Sequence, residues 1–235
     1  MGSSHKPCII QAVETFILVP GGWHGAWSFE TLALLLVSAG HAVHALTPTG
    51  LRADDELATV ATANLDTHAD DVLGLLDRAQ IASATLVGHS YGGMVIAAAA
   101  DRAPDRISRL VHVDAYVPLD GESCWSATTE PYRQKFVAGA ASTGYAVNPP
   151  DGLDPRTVPH PLASFLQAIR LTGAADRVPR REFIFCSGWD RTPFTETRDR
   201  LQADPDWQVH ELPTGHDAMH EAPDALAALL LEGCH

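Results

Sequence analysis

Short apolar runs alternate with longer stretches of helical periodicity along most of this chain. Residues 16–19 have the pattern of a buried strand, and residues 27–39 carry leucines at helical spacing up to Gly40. We predict further strands at 42–46, 84–87, 107–113, 181–186 and 207–212, and further helices at 67–79, 94–100, 194–202 and 222–231. This order predicts an α/β fold with a mostly parallel sheet of about six strands and helices on both faces.

The regular pattern fails between Pro118 and about Arg180. Gly, Pro, Ser and Thr are frequent there, and only short apolar pieces such as residues 165–169 interrupt them. We therefore predict a small cap inserted in the sheet at about 118–180. With 235 residues, of which 46% are apolar, the chain is long enough to bury a substantial core, and we expect a single domain at 8–235.

The composition of the chain limits the kinds of molecule that we expect it to bind. The chain carries 29 acidic and 16 basic residues, a net charge of −13, and no cluster of Lys and Arg. This balance argues against nucleic acid and anionic membranes, and favours a small neutral or apolar substrate. No apolar stretch approaches the ~20 residues of a membrane span, and residues 1–7 contain no hydrophobic signal region. We expect a cytoplasmic protein. The oligomeric state stays open, with a homodimer as one alternative.

The cysteines indicate neither a disulfide framework nor a zinc site. The four cysteines are far apart and lack the paired spacing of metal ligands: Cys8, Cys124, Cys186 and Cys234. Reduced thiols, no metal and no cofactor are the expectation.

The segment Gly88-His89-Ser90-Tyr91-Gly92 has the setting of a nucleophile elbow. It lies between the apolar run 84–87 and the small-residue helix 94–100. A serine on such a sharp strand-to-helix turn exposes its hydroxyl, and glycines are needed because the backbone approaches its neighbours closely. Ser90 is the predicted nucleophile.

A general base must come from a loop that follows another strand, because reacting groups collect at the carboxyl ends of parallel strands. His216 follows the last predicted strand and is our choice among twelve histidines. His220 fits a loop-packing role better. By strand alternation, His89 is expected to point away from Ser90 and to be packed or hydrogen-bonded. His24 follows the first strand and could order the neighbouring loop or line the site.

Two aspartates compete for the role of the acid that orients His216. Asp114 ends the apolar strand 107–113, where a carboxylate is costly to bury unless it is paired. Asp190 follows the next strand beside Arg191, which suggests a solvated or Arg-paired carboxylate. We prefer Asp114 and keep Asp190 as the alternative.

The oxyanion of an acyl-transfer intermediate needs two hydrogen-bond donors. We assign the main-chain N–H groups of Gly22, in a glycine-rich loop after the first strand, and of Tyr91. Aromatic residues could wall an acyl pocket, or they could only attach the cap to the sheet. The predicted pocket residues are Trp23, His24, Tyr116 and Trp125, with Tyr132, Phe136 and Phe165 as further candidates.

Four segments, 18–27, 65–72, 87–94 and 214–219, together resemble the α/β-hydrolase superfamily. More closely, they resemble compact bacterial esterases similar to the plant methyl-ester esterases and hydroxynitrile lyases. The resemblance implies a Ser-His-acid hydrolase without cofactor or metal. It implies Asp114 as the acid by similarity to bacterial members, and a position near Asp190 by similarity to plant members.

The chain departs from the lyase branch that it resembles at two positions. Gly21 stands where those enzymes place a threonine, and Asp217 stands where they place a lysine directly after the catalytic histidine. We therefore predict a carboxylic-ester hydrolase that cleaves a small, apolar or aromatic ester through an acyl-enzyme. The alternatives are a natural-product tailoring enzyme (a lyase, a cyclase, or a lactone or thioester hydrolase) and, disfavoured by these two positions, a hydroxynitrile lyase.

Overall fold

A computed structural model describes residues 13–190, 192–232 and 234. Six of its strands form one parallel sheet in the order β2-β1-β3-β4-β7-β8, and the two others form a short antiparallel pair. In chain order the strands are β1 (Thr15–Val19), β2 (Ala42–Ala45), β3 (Ala84–His89), β4 (Ile107–Val113), β5 (Ala146–Val147), β6 (His160–Pro161), β7 (Arg181–Cys186) and β8 (Trp207–Leu212).

Helices cover both faces of the sheet. They are α1 (Glu30–Ser38), α2 (Leu57–Thr62), α3 (Leu65–Arg78), α4 (Gly92–Arg102), α5 (Cys124–Ala127), α6 (Glu130–Ala140), α7 (Leu162–Leu166), α8 (Thr195–Gln202), α9 (Ala218–Glu221) and α10 (Pro223–Glu232). Local sequence explains their ends. Asn64 and Thr67 form a reciprocal capping box at the start of α3, and Gly40, with a φ of +95°, follows the end of α1.

The two faces of β1 show how the core divides. Phe16 and Leu18 pack into the cluster formed with α1 and α10, whereas Ile17 and Val19 pack into the cluster formed with α3 and α4. All four side chains are fully buried. Because both faces of the sheet are covered, the inner strands β1 and β3 are buried along nearly their whole length and are rich in apolar residues.

A buried ion pair crosses from β4 to β7. The Arg109 guanidinium donates two hydrogen bonds to the Glu182 carboxylate, at 2.8 and 2.6 Å, and a third to the Leu230 carbonyl at 2.6 Å. Desolvation opposes ionisation of Glu182, but the hydrogen bonds from His210 and Arg109 outweigh it and hold the pKa of Glu182 at about 2. The pair ties the last helix to the sheet.

The predicted fold class is confirmed. The strands at 107–113, 181–186 and 207–212 agree residue for residue with β4, β7 and β8. Helix α2, and within 118–180 the helices α5 to α7 and the pair β5–β6, were not predicted.

Three further sequence predictions meet the structure only in part. Within the described ranges, no helix is both long and apolar enough to cross a membrane. Cys124, Cys186 and Cys234 are buried free thiols. Cys8 and the absence of a signal region at 1–7 lie outside the described residues.

Candidate active site

Ser90 lies on a strained turn between β3 and α4. Its φ of 52° is in the left-handed region, which costs energy for any residue with a Cβ. The flanking glycines permit this turn: a Cβ on Gly88 would lie 2.6 Å from the Gly92 carbonyl oxygen, and one on Gly92 would collide with the Val19 carbonyl oxygen. The close approach of β1, β3 and α4 therefore requires glycine on both sides of the serine.

Asp114 follows β4 and is completely buried. Its Oδ1 accepts a hydrogen bond from the Cys186 N–H at 3.1 Å, and its Oδ2 accepts one from the Trp189 Nε1–H at 3.0 Å. The same Oδ2 lies 2.7 Å from Nδ1 of His216. Three donors thus converge on one carboxylate that has no access to water, as burial of a charge requires.

Asp190, the alternative acid, occupies an exposed position after β7. The carboxylate in contact with His216 is that of Asp114. Arg191, whose charge entered the comparison of the two aspartates, lies outside the described residues.

His216 is held by ring contacts on several sides. Its ring centroid is 4.8 Å from that of Trp189 and 5.9 Å from that of Phe194, which stacks on it at 23°. With the proton on Nδ1 facing Asp114, Nε2 is the unprotonated nitrogen of the neutral ring. His216 and Ser90 border the same cavity.

His89 differs from its prediction. It is hydrogen-bonded as expected, since its Nε2–H donates to the His216 carbonyl at 2.9 Å. It does not point away from the site, however: its ring lies 4.5 Å from the His216 ring and borders the cavity beside Ser90. Desolvation lowers the pKa of His89 well below its usual range, so the ring is a neutral support for the His216 loop.

The glycine-rich loop after β1 faces Ser90. A Cβ on Gly21 would lie 3.0 Å from the Ser90 Cβ, and one on Gly22 would lie 3.0 Å from the Phe165 ring. The loop is closed by a hydrogen bond of 2.6 Å from His24 Nδ1 to the Gly22 carbonyl. This bond commits the Gly22 carbonyl to His24. Gly22 and Tyr91, the predicted oxyanion donors, both border the cavity.

The cavity has a volume of about 250 Å³. Trp23, His24 and Tyr116 line it as predicted, and so do three aromatic residues of the 118–180 segment: Tyr132, Phe136 and Phe165. The prediction that Trp125 belongs to this wall is wrong. On the short helix α5 the adjacent Cys124 faces the cavity, and Trp125 borders a separate surface depression with Val137.

The sequence does not predict eight further lining residues: Cys124, Lys135, Pro150, Asp151, Leu153, Trp189, Pro193 and Phe194. Trp189 and Phe194 follow β7 and could have been found from their positions after that strand. Lys135 and Asp151, both exposed, lie in the irregular segment, where periodicity gives no orientation.

The wall of the cavity is uncharged where it is buried. Burial raises the pKa of Tyr116 well above its usual range and that of Cys124 to about 12. Both groups are therefore neutral at physiological pH. The exposed Lys135 and Asp151 bring charge only to the outer part of the cavity, so its interior suits an uncharged group.

Comparison with known proteins finds a family match over most of the chain. Residues 16–229 match the alpha/beta hydrolase family. The chain is 34% identical over 239 residues to the carbendazim hydrolyzing esterase of Nocardioides sp. strain SG-4G, an alignment that covers 93% of this chain and 98% of that protein. It is 36% identical over 131 residues to salicylic acid-binding protein 2 of Nicotiana tabacum, covering 52% of this chain and 47% of that protein.

Among solved structures, an extracellular alpha/beta-hydrolase from a Paenibacillus species superimposes with a TM-score of 0.80 at 20% identity. The superposition covers 94% of this chain and 99% of that one, and it shows a common fold. The resemblance drawn from the sequence segments is confirmed at the level of the family. With its six-stranded parallel sheet and the match over residues 16–229, this chain belongs to the alpha/beta hydrolase family.

Proposed function

We propose that this protein hydrolyses a small, apolar or aromatic carboxylic ester through an acyl-enzyme on Ser90. The observation that carries the proposal is the cavity bordered by both Ser90 and His216, with the buried Asp114 carboxylate 2.7 Å from the far nitrogen of His216. An ester-cleaving hydrolase is also the activity that the esterase relatives support.

In the first half-reaction, His216 Nε2 takes the proton of the Ser90 hydroxyl as its oxygen attacks the ester carbonyl carbon. The tetrahedral oxyanion receives hydrogen bonds from the main-chain N–H groups of Gly22 and Tyr91. Asp114 stabilises the imidazolium electrostatically and fixes its orientation. The intermediate collapses when the carbon–oxygen bond of the alcohol breaks, and His216 returns its proton to the leaving alkoxide.

The second half-reaction repeats these steps with water. His216 removes a proton from the water as it attacks the acyl carbon, and the same main-chain groups stabilise the second oxyanion. The bond to Ser90 Oγ then breaks, His216 protonates Oγ, and a carboxylic acid leaves. The proton balance closes with one water consumed and one acid and one alcohol formed.

The segment 118–180 acts in this proposal as a cap over the acyl group. It contributes Phe136 and Phe165, whose rings stack with centroids 4.5 Å apart, and Tyr132 to the wall of the cavity. Aromatic walls of this kind bind apolar or aromatic groups through burial and ring contacts. The acyl part of the substrate is therefore expected to be apolar, with polar groups confined to the end near Lys135.

The proposal is tested with Ser90→Ala and with Ser38→Ala, an exposed serine on α1, as the matched control. Hydrolysis of a series of p-nitrophenyl esters, from acetate to octanoate and benzoate, is followed at 405 nm, a standard wavelength for p-nitrophenolate. Ser90→Ala should lose about 10⁴-fold or more in kcat, while Ser38→Ala stays unchanged.

A fluorophosphonate probe provides a second readout. Mass spectrometry should find the phosphonyl adduct on the peptide that contains Ser90 in the wild type, and no adduct on that peptide in Ser90→Ala. Wild-type rates in a folded Ser90→Ala protein, or an adduct at a different serine, would contradict the proposal.

A further inference from the structure

The polar groups of Trp23 are bound by one small part of the 118–180 segment. The Trp23 N–H donates to Nδ1 of His160 at 3.1 Å, and its carbonyl accepts from the Val158 N–H at 3.1 Å. Its indole Nε1–H donates to the Val147 carbonyl at 2.8 Å. The β5–β6 pair and the residues beside it therefore hold Trp23, which directly follows Gly22, through three hydrogen bonds.

These three hydrogen bonds stabilise a turn whose backbone conformation is unfavourable by itself. Trp23 has a φ of 67°, a left-handed conformation that is unfavourable for a bulky residue and persists only when its surroundings fix it. The φ of Trp23 and the hydrogen bond from its N–H to His160 fix the direction of the Gly22–Trp23 peptide plane, which is joined to the Gly22 N–H through the Gly22 Cα. A change at Trp23 would therefore shift the backbone of Gly22, and with it the Gly22 N–H, relative to Ser90.

His160 is fixed in one protonation state and one orientation. Its Nδ1 accepts from Trp23, so the proton is on Nε2, which donates to the Ser164 Oγ at 2.8 Å. Ser164 in turn donates to the Pro161 carbonyl at 2.8 Å. The ring is completely buried and stacks on Phe165 at 4.0 Å. Desolvation lowers the pKa of His160 well below its usual range, so Nδ1 remains an acceptor around neutral pH.

The ring of His160 also contacts the residue that carries the second oxyanion donor. It packs edge-on against the ring of Tyr91, with centroids 4.8 Å apart. The Tyr91 hydroxyl donates to His68 Nδ1 at 2.8 Å, because His68 Nε2–H is committed to the Thr49 carbonyl at 2.9 Å. His160 thus lies between Trp23, next to Gly22, and Tyr91, next to Ser90.

We infer that His160 is a positioning residue, whose Nδ1 holds the turn at Trp23 and thereby aims the Gly22 N–H at the oxyanion formed on the Ser90-bound acyl group. The inference rests on the proposed function, since it concerns the rate of that reaction. It assigns the effect to the transition state, because a misdirected donor costs most when the carbonyl oxygen carries a full charge. Substrate binding depends much less on this N–H.

The test compares His160→Leu with His160→Asn, two side chains of nearly equal shape. Asn offers an oxygen near the position of Nδ1 and can accept from the Trp23 N–H, whereas Leu cannot. His160→Leu should lose about 10²-fold in kcat, the scale of one lost oxyanion donor, with KM within about threefold of wild type. His160→Asn should recover kcat to within about fivefold of wild type, because the acceptor is restored.

A trifluoromethyl ketone gives a readout that a loss of stability alone does not move. Its tetrahedral adduct with Ser90 carries an oxyanion, so its affinity should fall in His160→Leu by about the same factor as kcat. The affinity for the carboxylic acid product should stay within about threefold. The matched control is His41→Leu, since the Glu14 N–H donates to the buried His41 Nδ1 at 3.2 Å in a contact of the same kind on another part of the chain. This control should lower the melting temperature and leave kcat and the ketone affinity unchanged.

The outcomes separate this inference from the proposed function. Absence of ester hydrolysis or of Ser90 labelling in the wild type refutes the proposed function, and the inference with it. Where the wild type hydrolyses esters, a folded His160→Leu with unchanged kcat and ketone affinity overturns the inference alone. A folded His160→Asn that loses as much kcat as His160→Leu overturns it too. If His160→Leu does not fold, the kcat of His160→Asn decides: within about fivefold supports the inference, and a loss of about 50-fold or more refutes it.

Discussion

Replacing Asp114 by Asn removes a charge and leaves the turn that carries it. Asp114 has a φ of 42°, and Asn is among the residues that tolerate this conformation best. The carboxylate accepts from three donors, on Cys186, Trp189 and His216. An amide can satisfy two of these three in either of its orientations, since only one of its two terminal atoms is an acceptor.

The expected loss of activity follows from both orientations. With Nδ2 towards His216, the imidazole must carry its proton on Nε2 and cannot accept the proton of Ser90. With Oδ1 towards His216, the tautomer is retained, but the negative charge that stabilises the imidazolium is gone. We expect kcat to fall by about 10³–10⁴-fold, which corresponds to about 4–5.5 kcal/mol of transition-state stabilisation.

The same substitution should destabilise the fold moderately. One buried N–H, on Trp189 or Cys186, is left facing an amide N–H, which costs about 1–3 kcal/mol. For a chain of this size the melting temperature falls by about 2–4 °C for each kcal/mol. Circular dichroism must therefore show a folded protein at the assay temperature before the rates are compared.

Asp190→Asn serves as the matched control for Asp114→Asn, because it makes the same chemical change at an exposed carboxylate after the neighbouring strand. Both variants are assayed under saturating p-nitrophenyl ester and in single turnover, so that acyl transfer is separated from product release. The reasoning is refuted if folded Asp114→Asn keeps more than about a tenth of the wild-type kcat, a loss of under about 1.4 kcal/mol. It is equally refuted if Asp190→Asn loses as much.

The remaining predictions concern stability and are measured by urea unfolding. Gly93→Ala should lower the free energy of unfolding by about 1–3 kcal/mol because its Cβ would collide with the Tyr116 carbonyl oxygen. Gly74→Ala, in the interior of α3, should raise the free energy of unfolding by about 0.5–1 kcal/mol, since its Cβ meets only the movable side chain of an arginine. Equal effects of the two substitutions would contradict the packing argument. The pKa of Glu182, about 2 when folded, lies below its usual 4.5, so the unfolded chain binds more protons between these values. The difference in the free energy of unfolding between the wild type and Glu182→Gln should therefore be constant above about pH 5 and shrink as the pH falls towards 2. A difference that does not depend on pH would contradict this linkage.

The predictable parts of the fold are the elements whose secondary structure is indicated by the residue pattern of one continuous segment. β1 contains four consecutive buried apolar residues at 16–19, and α3 has both a capping box and an apolar stripe. The burial argument that selected Asp114 is also local, because its carboxylate follows an apolar strand, and the structure has it 2.7 Å from His216.

The parts that could not be predicted depend on partners distant in sequence or on elements shorter than one period. β5 and β6 are two residues each, and α5 is four, so no periodicity marks them or shows which side Cys124 and Trp125 face. Nothing near His160 in sequence indicates that its partner is Trp23, since the contact spans 137 positions. Signals of this kind exist only in the folded chain.

The order of the sheet has a consequence for biogenesis. Ser90 and Asp114 follow the central strands β3 and β4, whereas His216 follows β8, which is an edge strand and the last of the strands to leave the ribosome. A nascent or truncated polypeptide that stops before β8 would present a hydroxyl and a carboxylate without the imidazole between them. In the proposed mechanism such a fragment would lack the general base for Ser90 and would have no esterase activity. The rate at which esterase activity returns during refolding would therefore report when β8 docks onto the sheet.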